Sequence, residues 1–339
     1  MESLAVKYRP AEFSSLTGQK SIVKILERQI ETDNIKNSYI FSGSSGCGKT
    51  TSARIFANRI NKGVGAPIEI DAASNNGVEK MRELVQSASE RSLDSTYKVI
   101  IIDECHTLTS QSWQALLKII EETPKYTVFI FCTTDPQKIP PTIVNRCQRF
   151  NFCRLSSLSI EDRLRYICEQ EKFTNYEECI KYISKISKGQ MRDAISNLEK
   201  VSDYDTNLSI ENTLTALGGF SFETFFKLTN ALIDGNEKDS LEILYSFYNE
   251  GNDLRLFVDE YLSFIIDVLK YILFKDFTVI GIPESMQSEI DFITTFENVE
   301  SYYNYLLDMA LNMKNMVKQD TNIFSTLQVL FLKICRCEK

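Results

Sequence analysis

The sequence predicts an α/β fold with a parallel sheet, followed by helical domains. A complete phosphate-binding loop motif follows a short apolar run near the N-terminus. Two later apolar runs end in polar residues, as buried parallel strands do at the ligand-binding edge of a sheet. From Ser159 onward, apolar residues recur at helical spacing. We therefore expect the ligand-binding and catalytic residues in the N-terminal part of the chain.

The composition indicates a globular protein, and the length indicates two or three domains. Of the 339 residues, 43% are hydrophobic and 25% are charged, as in ordinary soluble chains. The N-terminus lacks the apolar core of a secretory signal, and the most apolar stretch, residues 261–274, contains Asp267 and Lys270. The nine cysteines form no C-x-x-C pair, which favours reduced thiols. We expect a cytosolic protein without membrane association.

The negative net charge is concentrated in the C-terminal third. Residues 1–214 carry 28 lysines and arginines against 27 aspartates and glutamates, whereas residues 215–339 carry 10 against 19. A polyanionic partner should therefore contact the first two thirds of the chain and be repelled by the rest.

The phosphate-loop motif spans residues 43–50 and has the sequence GSSGCGKT. Its glycines let backbone N–H groups turn inward toward phosphate oxygens, and a helix predicted from about residue 50 to 61 directs its positive end at the same anion. Lys49 supplies a charge for the β- and γ-phosphates, and Thr50 an oxygen for Mg²⁺. An ordinary Gly/Ser turn is the competing interpretation. The predicted nucleotide contacts are Gly43, Ser44, Ser45, Gly46, Cys47, Gly48, Lys49, Thr50 and Thr51.

Three apolar runs predict buried strands at residues 67–71, 98–104 and 127–132. The second run has four consecutive β-branched residues and then two carboxylates. Asp103 is placed to hold Mg²⁺ through its water shell, and Glu104 to accept a proton from an attacking water. Alternatively, the strand simply ends in acidic turn residues, an interpretation that the upstream phosphate loop disfavours.

Four further residues are noteworthy. Thr134, at the end of the third run, either positions the hydrolytic water or caps the next turn. His106 is the only histidine, which excludes a His-based metal site or a Ser–His triad. Arg146 follows a short predicted helix; spacing alone indicates a solvated side chain, although an unpaired arginine there can reach a neighbouring subunit's phosphate. Arg192, in the first turn of a helix, is disfavoured by the helix dipole, which suggests a bound anion or a salt bridge.

With these residues in view, the chain resembles the ATPase subunits of clamp loaders in the AAA+ superfamily, most closely the gamma/tau subunits of bacterial DNA polymerase III. The resemblance covers about residues 4–220. It implies an AAA+ ATPase core over residues 1–155, a helical lid over residues 156–216 and an all-α collar over residues 217–339. The matching segments are KYRPAEFSSLTGQ, GSSGCGKT, IEIDAAS, VIIIDECHTLTSQSWQALLKIIEETP, CTTDPQKIPPTIVNRCQRFNF and GQMRDAISNLEK.

The resemblance also implies roles for individual residues. Arg146 is implied to be a finger inserted into the neighbouring subunit's ATP site, and Arg192 to contact the γ-phosphate in cis. The catalytic set is then Lys49, Glu104, Thr134 and Arg146. The N-terminal box, by pattern alone an arm with an aromatic anchor, is implied to flank adenine with Val6, Tyr8, Arg9 and Pro10.

As a whole, the resemblance implies an ATPase that uses ATP and Mg²⁺. Its implied partners are the other clamp-loader subunits in a pentameric ring, a sliding clamp, primer–template DNA and the DNA polymerase. A non-catalytic scaffold subunit is an alternative that the intact loop and carboxylates disfavour. A DExH helicase, suggested by residues 103–106, is another, but the arginine-rich motifs of a second motor domain are missing from the sequence.

The chain departs from the gamma/tau pattern at two places. Those subunits carry a four-cysteine zinc module after the phosphate-loop helix, but here only residues 62–66, KGVGA, join Asn61 to Pro67, so we expect no zinc. The finger motif begins with Asn145 instead of serine, which changes the immediate surroundings of the arginine. The compact length suits a bacterial or phage-encoded protein.

Overall fold

The structure, a computed structural model, describes residues 3–92, 94–282, 286–293, 299–319 and 322–336. Five strands are described: β1 (Ser38–Gly43), β2 (Ile68–Asp71), β3 (Lys98–Asp103), β4 (Thr127–Thr133) and β5 (Gln148–Phe152). The helices in the described ranges are α1 (Leu4–Lys7), α2 (Lys20–Glu31), α3 (Lys49–Ile60), α4 (Val78–Ala88), α5 (Ser110–Glu121), α6 (Pro141–Val144), α7 (Ser157–Glu171), α8 (Glu177–Ile186), α9 (Met191–Tyr204), α10 (Ile210–Leu217), α11 (Phe222–Ile233), α12 (Glu237–Asn249), α13 (Leu254–Phe274), α14 (Gln287–Ile293), α15 (Val299–Gln319) and α16 (Ile323–Arg336).

The five strands form one sheet in the order β2-β3-β4-β1-β5, and every neighbouring pair is parallel. This confirms the predicted α/β class with a parallel sheet. β3 is an interior strand of the sheet, and its β-branched run is buried, as expected. The prediction of a buried strand at residues 67–71 is wrong in one respect: β2 is an edge strand, and only Ile70 is buried within it.

Strand register brings the polar strand ends to one edge of the sheet. Asp71 pairs with Asp103 across β2 and β3, and Ser42 pairs with Thr133 across β1 and β4. The residue after Ser42 is Gly43, which begins the phosphate loop. Parallel strands therefore gather the loop and the carboxylates at their carboxyl ends.

The chain divides into two compact units. The first comprises Met1–Glu171 and Ile183–Glu199. Alternate side chains of its strands, such as Phe41 and Ile40, enter separate apolar clusters on the two faces of the sheet. Helices cover both faces, so the sheet is shielded from water.

The second unit comprises Lys172–Tyr182 and Lys200–Lys339. Its described core is built by helices, with aromatic side chains such as Phe225, Phe257 and Phe331 almost fully buried. This agrees with the predicted all-helical C-terminal region, whereas the three-domain division at residues 155 and 216 stays a prediction. Within the described ranges, no helix is both long enough and apolar enough to cross a bilayer.

The packing of the sheet predicts that Ile→Ala lowers the free energy of unfolding much more at a buried position than at an exposed one. Ile101→Ala, in β3 at 0% exposure, should lower the free energy of unfolding by about 2–5 kcal/mol through lost burial and a cavity. Ile25→Ala, at 45% exposure in α2, should cost less than about 1 kcal/mol. Urea titration followed by the fluorescence of Trp113, the single tryptophan, measures both changes in the first unit. Equal losses would contradict the packing described.

Candidate nucleotide-binding site

The phosphate loop connects β1 to α3 through backbone conformations that suit glycine. Gly46 and Gly48 have φ angles of 66° and 101°. A Cβ on Gly46 would lie 3.1 Å from Cβ of Gln190 and 3.3 Å from the backbone N of Arg192. The backbone N–H of Met191 donates to the carbonyl of Gly46 at 3.1 Å. The loop is thus packed directly against the start of α9, and a larger residue at position 46 would separate them.

The Lys49 side chain bonds the backbone at the start of the phosphate loop. Its Nζ donates to the carbonyl oxygens of Gly43 and Ser44, both at 2.9 Å, and the residue is only 6% exposed. These contacts orient the ammonium group toward the concave side of the loop, where backbone N–H groups and the α3 N-terminus favour an anion.

Thr50 and Asp103, both predicted to hold Mg²⁺, are in direct contact. Thr50 Oγ1 donates to Asp103 Oδ2 at 2.7 Å. A hydroxyl beside a carboxylate suits Mg²⁺, which takes one or two protein oxygens and otherwise keeps water or phosphate ligands. The residues present therefore fit this metal ion.

Glu104 follows β3 in a left-handed conformation, with φ 47° and ψ 40°. Its Oε2 accepts a hydrogen bond from Thr134 Oγ1 at 3.2 Å and lies 3.3 Å from His106 Nδ1. The next turn is capped by Asp135, whose side chain accepts from the backbone of Gln137. Thr134 is therefore a partner of Glu104 and not the capping residue. His106 therefore lies beside the Glu104 carboxylate.

A cleft of about 480 Å³ gathers most of the predicted residues. Four predicted binding or catalytic residues do not line the cleft, although they lie in the N-terminal arm, in the phosphate loop or next to β4. These are Val6, Gly43, Ser44 and Thr134. Arg146, discussed below, is also outside the lining. The predicted residues that line the cleft are Tyr8, Arg9, Pro10, Ser45, Gly46, Cys47, Gly48, Lys49, Thr50, Thr51, Asp103, Glu104 and Arg192.

Cationic groups converge on the cleft. Arg9, Arg54 and Arg192 all line it together with Lys49. Partial burial lowers the pKa of Arg9, and the charges of Arg54 and Arg192 lower it further. Mutual repulsion among these cations is relieved by an anion of high charge density, which is the chemistry of a polyphosphate.

The Arg54–Glu69 pair was not predicted from the sequence. Arg54 Nε and Nη2 donate to the two carboxylate oxygens of Glu69 at 2.7 and 2.5 Å, a bidentate geometry. The hydrogen bond to Glu69 raises the pKa of Arg54. The i, i+4 spacing of Thr50 and Arg54 on α3 was a signal, because it places both side chains on one helix face. The partner on β2 had no such signal.

The N-terminal arm is anchored by contacts that the sequence also did not reveal. Arg163 Nη2 donates to the carbonyl of Tyr8 at 2.6 Å, and Glu171 accepts from the Tyr8 hydroxyl. Burial and this hydrogen bond raise the pKa of Tyr8 to about 12. Glu199 accepts from the backbone N–H of Leu4 at 3.0 Å. The arm is therefore fixed against α7 and α9 at the edge of the cleft.

Arg146 does not line the cleft of its own chain. Its Nη1 donates to the carbonyl of Thr142 at 2.6 Å, and its Nη2 lies 2.7 Å from Glu121 Oε1. The guanidinium is therefore paired, because the C-terminus of α5 supplies a carboxylate. The side chain is nevertheless 40% exposed, so it remains accessible from outside.

The sheet order, the loop after β1, the Asp–Glu pair at the end of β3 and the arginine at the start of α9 define an AAA+ protein. A family model described as DNA polymerase III, delta subunit, matches residues 65–156. Among solved structures, the Thermotoga maritima RuvB Holliday junction branch migration motor is similar, with a TM-score of 0.54 and 19% identity over 67% of this chain and 80% of that one. That likeness supports the fold.

Curated relatives give a closer assignment. The gamma subunit of Buchnera aphidicola DNA polymerase III is 34% identical over 77% of this chain and 78% of its own length. The Mycoplasma genitalium gamma/tau subunit is 34% identical over 89% of this chain, and the Bacillus subtilis tau subunit is 33% identical over 97%. The chain spans 53% and 62% of the length of these last two relatives. The chain belongs to the DNA polymerase III gamma/tau family.

The Thr50–Asp103 contact predicts a magnesium-dependent effect of one substitution. Thr50→Val removes the hydroxyl that bonds Asp103, so the affinity for ATP in the presence of Mg²⁺ should fall about tenfold or more. The affinity in EDTA should stay within about twofold, because the loop N–H groups are unchanged. Calorimetric titration under both conditions measures the difference. A parallel loss in EDTA would show that the hydroxyl supports the loop itself and not the metal ion.

Proposed function

We propose that the protein is the ATPase subunit of a sliding-clamp loader. The observation that carries the proposal is the Thr50–Asp103 hydrogen bond, which unites the phosphate loop with the Asp–Glu strand end in one cleft. The relatives named gamma and tau subunits support the placement in replication. ATP binding opens the clamp and places it on primer–template DNA, and hydrolysis releases the loaded clamp.

Each residue of the cleft has a separate task in the proposal. The loop N–H groups and Lys49 bind the β- and γ-phosphates, while Thr50 and Asp103 hold Mg²⁺, which neutralises phosphate charge when bound. Glu104 accepts a proton from the attacking water, and Thr134 holds the Glu104 carboxylate in place by the bond described above. Arg192 contacts the γ-phosphate, and the arm residues 6–10 flank adenine. No task requires zinc.

Arg146 acts on the nucleotide of the neighbouring subunit. Two observations support this: the guanidinium lies outside its own cleft, and it is accessible on the surface. A charge supplied in trans stabilises the transition state of phosphoryl transfer and contributes about 10³-fold or more to the rate in related enzymes. Hydrolysis then requires assembly, which agrees with a pentameric ring of clamp-loader subunits.

The charge distribution supports the proposed partners. Residues 215–339 carry an excess of nine acidic residues, 19 against 10, whereas the preceding part is nearly balanced. Primer–template DNA is repelled by the acidic part and can approach only the ATPase part. The clamp and the DNA polymerase complete the proposed set of partners.

A turnover assay separates the proposed loader from a scaffold or a helicase. ATP hydrolysis by the assembled complex is measured alone, with clamp, with primer–template DNA and with both. The loader predicts that clamp and DNA together raise kcat by more than the product of their separate effects. A scaffold would give no turnover attributable to this subunit, and a helicase would respond fully to DNA, with no further increase from the clamp.

Paired substitutions test the shared site. Lys49→Ala should lower the affinity for ATP about tenfold to hundredfold and abolish turnover, whereas Arg146→Ala should preserve binding and lower kcat by about 10³-fold. Rings assembled from both variants should recover part of the turnover, because an intact arginine then faces an intact cleft. Absence of recovery, with mixed rings verified by mass, would contradict action in trans.

A further inference from the structure

We infer that Glu121 is a positioning residue that orients Arg146 for hydrolysis on the neighbouring subunit. The inference rests on the proposed role of Arg146 in trans. Its geometric basis is the contact at 2.7 Å between Arg146 Nη2 and Glu121 Oε1, combined with the bond at 2.6 Å from Nη1 to the carbonyl of Thr142.

The backbone on both sides of this contact is fixed by the core. Glu121 is the last residue of α5, directly after Ile120, which is 5% exposed. Arg146 follows α6, where Ile143 is 1% exposed in the same apolar cluster. The backbone N–H of Arg146 also donates to the carbonyl of Ile143 at 3.0 Å. Both side chains therefore start from rigid positions.

Two anchors restrain a side chain that is otherwise free to rotate. Arginine has a long stem and loses considerable rotamer entropy when it is ordered. The carboxylate and the carbonyl oxygen each bind one terminal nitrogen, so together they fix the plane of the guanidinium. Further N–H donors on that plane remain to bind phosphate oxygens. A finger ordered before the neighbour binds ATP loses less entropy when it acts.

The solvent exposure of the Arg146–Glu121 pair determines how much kcat should fall when the contact is removed. The side chains of Arg146 and Glu121 are 40% and 42% exposed, and exposed ion pairs are weak. The carboxylate therefore does not trap the guanidinium, and we expect its loss to lower kcat by about three- to tenfold. This is far less than the loss expected for Arg146→Ala. A positioning residue should change kcat while leaving KM within about twofold, since ATP binds in the other subunit.

Mixed rings give the direct test. The donor subunit carries Lys49→Ala and supplies only its arginine; the acceptor carries Arg146→Ala and supplies only its cleft. Rings are assembled with partner subunits, clamp and primer–template DNA, and kcat and KM for ATP are measured. Glu121→Ala in the donor should lower kcat about three- to tenfold, and the same change in the acceptor should leave kcat unchanged.

Two matched variants complete the experiment. Glu122→Ala removes an equal charge from the adjacent exposed residue and should leave kcat unchanged in either subunit. Glu121→Gln retains an acceptor oxygen and should recover most of the turnover that Glu121→Ala loses. The inference is overturned if Glu121→Ala acts equally in donor and acceptor, matches Glu122→Ala, or raises kcat. If donor and acceptor without these changes show no turnover, the trans role of Arg146 fails instead.

Discussion

The hydrogen bond between Thr50 and Asp103 joins the two halves of the candidate site. One half is the glycine loop with the start of α3, and the other is the acidic end of β3. The contact requires that β3 and β1 end at the same edge of the sheet, with β4 between them. Both halves therefore depend on parallel strands in register, and a shift of β3 along β4 would move the carboxylate away from the loop.

Charged groups line the cleft, and contacts from neighbouring helices hold the N-terminal arm beside it. Arg9, Arg54 and Arg192 bring guanidinium groups to the cleft, and the bidentate bond to Glu69 restrains Arg54. Contacts from Glu171 and Arg163 to Tyr8 fix the N-terminal arm next to the cleft. The cleft is thus largely organised before a ligand enters, which reduces the ordering entropy lost on binding.

The sequence predicted those features that are local in the chain. The phosphate loop and the apolar run before Asp103 each carry their own pattern, and both lie where expected. Contacts between distant segments were not predictable, because no periodicity pairs Tyr8 with Glu171 or Arg146 with Glu121. The edge position of β2 was missed for the same reason: strand order arises from crossovers, and an apolar run does not reveal its neighbours. The catalytic roles stay predictions.

The site described here requires that the isolated chain binds a nucleoside triphosphate through Lys49 of the phosphate loop. Equilibrium titration of the purified protein with a fluorescent ATP analogue and Mg²⁺ tests it most directly, with Lys49→Ala as the comparison. The account predicts saturable binding to the wild-type chain and an affinity about tenfold to hundredfold lower for the variant. Equal affinity of the two proteins, or no binding to either, would contradict it.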